Sequence, residues 1–214
     1  MTATRPAGAE PFLPERTDLA ALRAAVDSCR GCPLYADASQ AVFGDGPSRA
    51  KVVMVGEQPG DVEDREGEPF VGPAGHLLDK ALDRAGIDRA QVYLTNAVKH
   101  FKFTRSDRGK PRIHKKPAAS EITACRPWIR AELAAIKPRL VVCLGAVAAQ
   151  SLLGKDFRVT KQRGVLLDAP AELGARQALA TIHPSAVLRA TERDEAFGGL
   201  VADLTAVSAA LRDA

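Results

Sequence analysis

The sequence predicts an α/β protein, a single α/β/α sandwich around a central, mainly parallel sheet, and three observations carry that prediction. Short apolar runs bounded by Gly, Pro or polar residues alternate along the 214 residues with stretches whose apolar positions recur at helical spacing. With 46% hydrophobic and 26% charged residues, the chain can bury a sizeable core and is not disordered. No window approaches the roughly 18 consecutive apolar residues of a membrane span.

The elements follow in order. Residues 1–16 are polar, contain three prolines and predict a loose arm ahead of a domain over 17–214. The arm's lack of an apolar signal-peptide core predicts a cytoplasmic protein. Thr17-Asp18 can cap a short helix to about Ser28, and Cys29-Arg-Gly-Cys32-Pro33 reads as a tight turn. The run 51–56 predicts a buried strand, followed by a Gly-, Pro- and acid-rich loop to Gly75 and a helix over His76–Ala85. A second strand is expected over 92–99, a helix over 117–137, a third strand over 139–145 and a helix over 146–153. Strands over 165–168 and 178–183 and a closing helix over 194–211 complete the set. In open α/β sheets, ligands sit outside the carboxyl ends of the strands. Glu57-Gln58, Asn96 and His183 fall at such ends and are expected to converge in space.

Charge is distributed unevenly. The net charge is +4, yet Lys99–Lys116 holds 8 Lys/Arg against the single acid Asp107. One concentrated basic loop, with Lys110, Arg112, Lys115 and Lys116 at its end, points to a polyanion contact; the plainer alternative is a solvated surface loop.

All four cysteines admit a metal role. Cys29 and Cys32 form a Cys-x-x-Cys turn, while Cys125 and Cys143 lie far apart on a predicted helix and strand. That spacing does not suit a zinc ribbon and fits better a cluster, such as [4Fe–4S], held by the tertiary fold. Zinc stays open, as does an ordinary buried role for Cys125 and Cys143.

With these pieces the sequence resembles the iron–sulfur uracil-DNA glycosylases. The resemblance rests on the Cys29-x-x-Cys32 turn, Gly56-Glu-Gln-Pro-Gly60-Asp61, the segment Gly67 to Gly75 with Phe70, Thr95-Asn96-Ala-Val-Lys99, Cys125, Cys143 and His183-Pro-Ser185. Gln58 and the Arg112-Ile-His114 loop are similar to the UdgX-type branch, whose members bind uracil DNA covalently; Pro111 stands where that branch commonly has a basic residue.

The resemblance implies a uracil-DNA glycosylase-like fold, a [4Fe–4S] cluster on Cys29, Cys32, Cys125 and Cys143, and uracil-containing DNA as partner, single strands preferred. It also implies a role for each site residue. Asn96 offers the donor and acceptor that match uracil N3–H and O4. Phe70 can stack on a flipped base, and His183 can donate to uracil O2 as charge develops there. Ser185 can cap the following helix and leave amides for a phosphate. Glu57 or Asp61 can stabilise an oxocarbenium-like sugar or activate a nucleophile, Gly60 allows close backbone approach, and Gln58 tunes position. His114 is the implied covalent nucleophile. A conventional enzyme using water, and a non-catalytic iron–sulfur DNA-binding or redox module, are the alternatives. A monomer without membrane contact is expected.

Overall fold

The computed structural model describes residues 8–105 and 112–212. In chain order its main elements are α1 (Leu19–Val26), β1 (Val52–Gly56), α2 (Asp61–Glu66), α3 (Pro73–Arg84), β2 (Val92–Asn96), β3 (Phe103–Thr104) and β4 (Ile113–His114). They continue with α4 (Ala119–Ile136), β5 (Leu140–Leu144), α5 (Ala146–Leu153), α6 (Val159–Gln162), β6 (Leu167–Asp168), β7 (Gln177–Thr181), α7 (Pro184–Leu188) and α8 (Arg193–Arg212).

The main sheet runs β2-β1-β5-β7-β6, parallel through its first four strands, with β6 antiparallel at the edge. Every residue of β1, β2 and β5 is buried, because helices cover both faces. Alternate residues go to opposite sides: Val52, Met54, Leu94 and Val142 pack on Leu78 and Leu82 of α3 and Leu200 and Leu204 of α8. Val53, Val55, Tyr93 and Val141 pack on Ile129 and Leu133 of α4 and Ala148 and Leu152 of α5. This is the predicted α/β/α sandwich. Truncating a fully buried leucine in it, such as Leu78, costs about 2–5 kcal/mol.

Asp18 caps α1 as expected, its carboxylate accepting from the Ala21 N–H at 3.0 Å. Three expectations are corrected. The arm is not loose from Gly8 onward: Ala9 is buried against Cys29, Cys32 and Cys125, and its N–H donates to the Ala124 carbonyl at 2.9 Å. Residues 1–7 lie outside the described residues. The acid-rich loop contains α2, whose first turn holds Asp61, Glu63 and Asp64, matching the helix dipole, and which ends on Gly67 at φ 79°. The second strand ends at Asn96; beyond it the Ala97 and Val98 N–H groups donate to the Gly56 and Glu57 carbonyls. The basic loop then forms the short antiparallel pair β3–β4, with Phe103 opposite His114. Lys110 and Pro111 lie outside the described residues. No helix among the described residues is long and apolar enough to cross a membrane.

Candidate active site

The carboxyl ends of β1, β2, β5 and β7 open on a cavity of about 620 Å³, the size range of small-ligand sites. Glu57, Gln58 and Gly60 line it from the loop after β1, Asn96 from the end of β2, and His183, Ser185 and Arg189 from the segment after β7. Phe70 closes one wall, and Ile113, His114 and Lys116 overhang the mouth. The convergence of Glu57-Gln58, Asn96 and His183 expected from the sequence is present.

Close approach at the floor depends on Gly56, which pairs with Asn96 in the parallel register. A Cβ on Gly56 would stand 2.3 Å from Asn96 Oδ1 and 2.7 Å from Phe70 Cζ. Phe70 itself has φ 61°, a left-handed conformation that costs a non-glycine residue about 1–3 kcal/mol and that here turns its ring against His183, centroids 6.1 Å apart. Phe70 thus belongs to the pocket wall. The Asn96 carbonyl accepts from Lys99 Nζ at 3.0 Å, and Lys99 is also bonded to Thr95 and paired with Glu132. Glu132 further accepts from the Tyr93 hydroxyl at 2.9 Å and the Gly44 N–H at 3.1 Å. This wholly buried network braces the strand end that presents Asn96.

His183 caps α7: its Nδ1 accepts the Ser185 N–H at 3.1 Å and lies 2.8 Å from Ser185 Oγ. The expectation that Ser185 itself caps this helix is corrected, since the helix starts one residue earlier. A backbone N–H only donates, so Nδ1 is unprotonated and the proton of the neutral ring sits on Nε2. Burial, then Arg189 and His114, push the His183 pKa down to about 4, which keeps the ring neutral and a donor.

His114 Nε2 faces Glu57 Oε1 at 3.8 Å, with half of the His114 side chain exposed. Burial, then Arg189, lowers the His114 pKa. Burial raises that of Glu57, offset in part by Lys116 and Arg189. The hairpin that carries His114 is stapled by Gln58, whose Nε2 donates to the Lys102 and Lys115 carbonyls and whose Oε1 accepts the Lys102 N–H, all at 3.1 Å. Gln58 is therefore occupied in holding the hairpin. Gly60 caps α2, its N–H donating to Glu63 Oε2.

Two expected residues are placed elsewhere. Asp61 does not line the cavity; its carboxylate pairs with Arg112 and Arg65. Arg112 turns inward onto Asp61 and Asp64 and is not offered to a partner. Lys99 and Lys102 are likewise paired internally, with Glu132 and Glu121, whereas among the described residues Arg105, Lys115 and Lys116 of this loop and Arg189 of the pocket lining are exposed cations. Sequence reasoning missed Arg189, which enters the pocket from the end of α7 and acts on the three titrating groups there. Only its position six residues after His183 signalled it.

Cys29, Cys32 and Cys125 lie together in one buried group, next to the Trp128 indole, which donates to Cys29 Sγ at 3.2 Å. The Lys99 N–H donates to Cys125 Sγ at 3.3 Å. Among the described residues no three such side chains converge on one ion position. Cys143 does not join them. It sits in the other core group on β5 among Val53, Val141 and Ile129, its thiol pushed up to about 12 by burial alone. The three-cysteine group fits an iron–sulfur cluster in kind, and the expected fourth ligand does not. Buried His100 follows Lys99; burial, then the charge of Arg30 in the Cys29–Cys32 turn, push its pKa down to about 4, opposed by Asp27 and Asp64.

A parallel sheet opening at its carboxyl ends on a pocket with an amide, a neutral histidine and a carboxylate is the ligand-binding arrangement of an α/β domain. The sequence family agrees: residues 43–205 match the uracil DNA glycosylase superfamily, and the chain belongs to it. Among its relatives are the type-4 uracil-DNA glycosylases of Thermotoga maritima, 38% identical over 77% of this chain and 80% of theirs, and of Pyrobaculum aerophilum, 35% identical over 80% and 85%. That of Archaeoglobus fulgidus is 36% identical over 75% and 78%.

Proposed function

We propose that the protein excises uracil from DNA and is then joined through His114 to C1′ of the abasic sugar, the behaviour of the UdgX-type branch it resembles. Excision has the support of the type-4 relatives and of the pocket. The position of His114 carries the covalent step: it overhangs the pocket beside Glu57, on a hairpin stapled there by Gln58.

The flipped base enters against Phe70 and pairs its N3–H and O4 with the Asn96 amide. Cytosine, with donor and acceptor exchanged, leaves the buried amide unmatched. As the C1′–N1 bond breaks, its electron pair leaves with uracil, and the His183 Nε2–H stabilises the charge arriving at O2. The sugar becomes an oxocarbenium ion, which the Glu57 carboxylate stabilises. The neutral His114 ring gives a nitrogen lone pair to C1′, the ring takes up the positive charge, and the N–H proton of its other nitrogen can pass to Glu57 or solvent. Held at the mouth, His114 outcompetes water through effective concentration.

A [4Fe–4S] cluster would be held by Cys29, Cys32 and Cys125, with the neutral imidazole of His100 in place of Cys143 as fourth ligand. Bound by these residues, it would tie the N-terminal turn to α4. Uracil-containing single-stranded DNA is the proposed partner of a cytoplasmic monomer.

Incubation with a uracil-containing single-stranded oligonucleotide, followed by a denaturing gel, tests the reading. A surviving shifted band is expected. Alkali-labile cleavage without a shift would make water the nucleophile, for which the half-exposed His114 leaves room, and neither product would leave a non-catalytic module.

A further inference from the structure

We propose that Arg112 is a positioning residue, a guanidinium clamp that seats the His114 hairpin over the pocket and so decides whether the sugar is captured by His114 or by water. The inference rests on the His114 reading above and concerns what makes that capture efficient.

The clamp is a built receptor. Arg112 Nε donates to Asp61 Oδ1, Nη1 donates to Asp64 Oδ2 at 2.6 Å and to Ser39 Oγ at 3.3 Å, and Nη2 donates to the Asp61 carbonyl at 3.3 Å. Its plane lies over the Phe101 and Phe103 rings, at 5.4 and 4.8 Å from their centroids. The Asp64 side chain is wholly buried, and Arg112 is 14% exposed. Beyond Arg112, Asp64 takes only the Ser39 N–H and O–H among the described side-chain bonds, so removing the guanidinium would strand a buried carboxylate. A phosphate could recruit Arg112 only against that cost.

The hairpin needs such an anchor. Each of its strands has two residues, too few to hold themselves in place. Gln58 fixes the base of the hairpin at Lys102 and Lys115, and Arg112 fixes its far side to α2. Arg112 directly precedes β4, and it and His114 both lie against the Phe101 ring, at 5.4 and 5.9 Å from its centroid. Between these two anchors the imidazole has little freedom to leave the mouth. Released from one, it loses the effective concentration on which capture depends, and water gains.

The experiment compares Arg112→Gln, Asp64→Asn and the double variant, each shown folded by its thermal melt. Single-turnover reactions on uracil-containing single-stranded DNA measure uracil released and the ratio of covalent adduct to free abasic product. Both single variants should lower that ratio by about tenfold or more, by similar factors, while still releasing uracil, and the double variant should be no worse than either. Binding to uracil-free DNA should be unchanged. If Arg112→Gln weakens binding to uracil-free DNA while Asp64→Asn keeps the wild-type ratio, Arg112 is a DNA contact and the clamp is wrong. Should the buried variants not fold, Ser39→Ala must lower the ratio in the same direction, and an unchanged ratio overturns the proposal. A wild-type protein that releases uracil without any adduct overturns the His114 reading itself, a result visible before any variant is made.

Discussion

Nε2 of His114 and Oε1 of Glu57 face each other at 3.8 Å across the mouth of the pocket. The two groups are shifted in opposite senses, burial lowering the histidine and raising the carboxyl. Capture needs the ring neutral and the carboxyl ionised. Because the His114 pKa lies below its ordinary 6.5, the neutral ring prevails at neutral pH and is lost only as pH falls through the lowered value. The Glu57 carboxylate is lost in the same acid direction. Adduct yield from pre-formed complex should therefore stay level through the ordinary histidine range near pH 6.5 and fall only further into acid; a yield that already declines between pH 8 and 7 would show a ring that titrates higher.

Asn96 should set base specificity. Asn96→Ala is expected to lower uracil excision by about 10²-fold or more while leaving affinity for uracil-free DNA intact. Single-turnover rates and binding isotherms separate the two, and equal losses in both would mean that Asn96 maintains the strand end instead.

The cysteines should divide. Cys125→Ala is expected to abolish the brown colour and bound iron, whereas Cys143→Ala should keep both and lose only core packing. His100→Ala should alter the visible spectrum or the iron content per chain. Iron analysis and absorption spectra check this, and cluster loss in Cys143→Ala would restore Cys143 as a ligand.

The strands of the main sheet, though not β3 and β4, and the convergence of Glu57, Asn96 and His183 were legible in the sequence, because parallel strands covered on both faces are apolar runs and polar residues fall at their carboxyl ends. The helix α2 was legible in principle, from its acidic first turn and Gly67, but was hidden among prolines and glycines. The fates of Arg112 and Cys143 were not legible. Both depend on tertiary partners distant in sequence: Arg112 reaches back 48 residues to Asp64, and Cys143 packs on β5 in a core group separate from the one that holds the other three thiols. Composition alone counted Lys99, Lys102 and Arg112 as surface charge, although each is paired inside.

Stability should depend on the Lys99–Glu132 pair. Glu132→Gln leaves a buried ammonium without its counter-charge and should cost about 3–5 kcal/mol, read as a lower denaturation midpoint. Lys99→Met combined with Glu132→Leu should cost less than Glu132→Gln alone, since neither charge is then stranded.

His183 adds a pH-dependent part. Its folded-state pKa of about 4 lies below the ordinary 6.5, so between those values the unfolded chain binds a proton that the folded chain does not. The stability His183 contributes is complete above pH 6.5 and is lost as pH falls toward 4. Melting temperature should drop across that window, and His183→Asn should flatten the drop.

The most direct test is the identity of the adducted atom. After reaction with a uracil-containing oligonucleotide, nuclease trimming and proteolysis, tandem mass spectrometry should find the sugar remnant on His114 and uracil free in solution. A remnant on any other residue, or unmodified His114 in protein that has released uracil, would contradict the account.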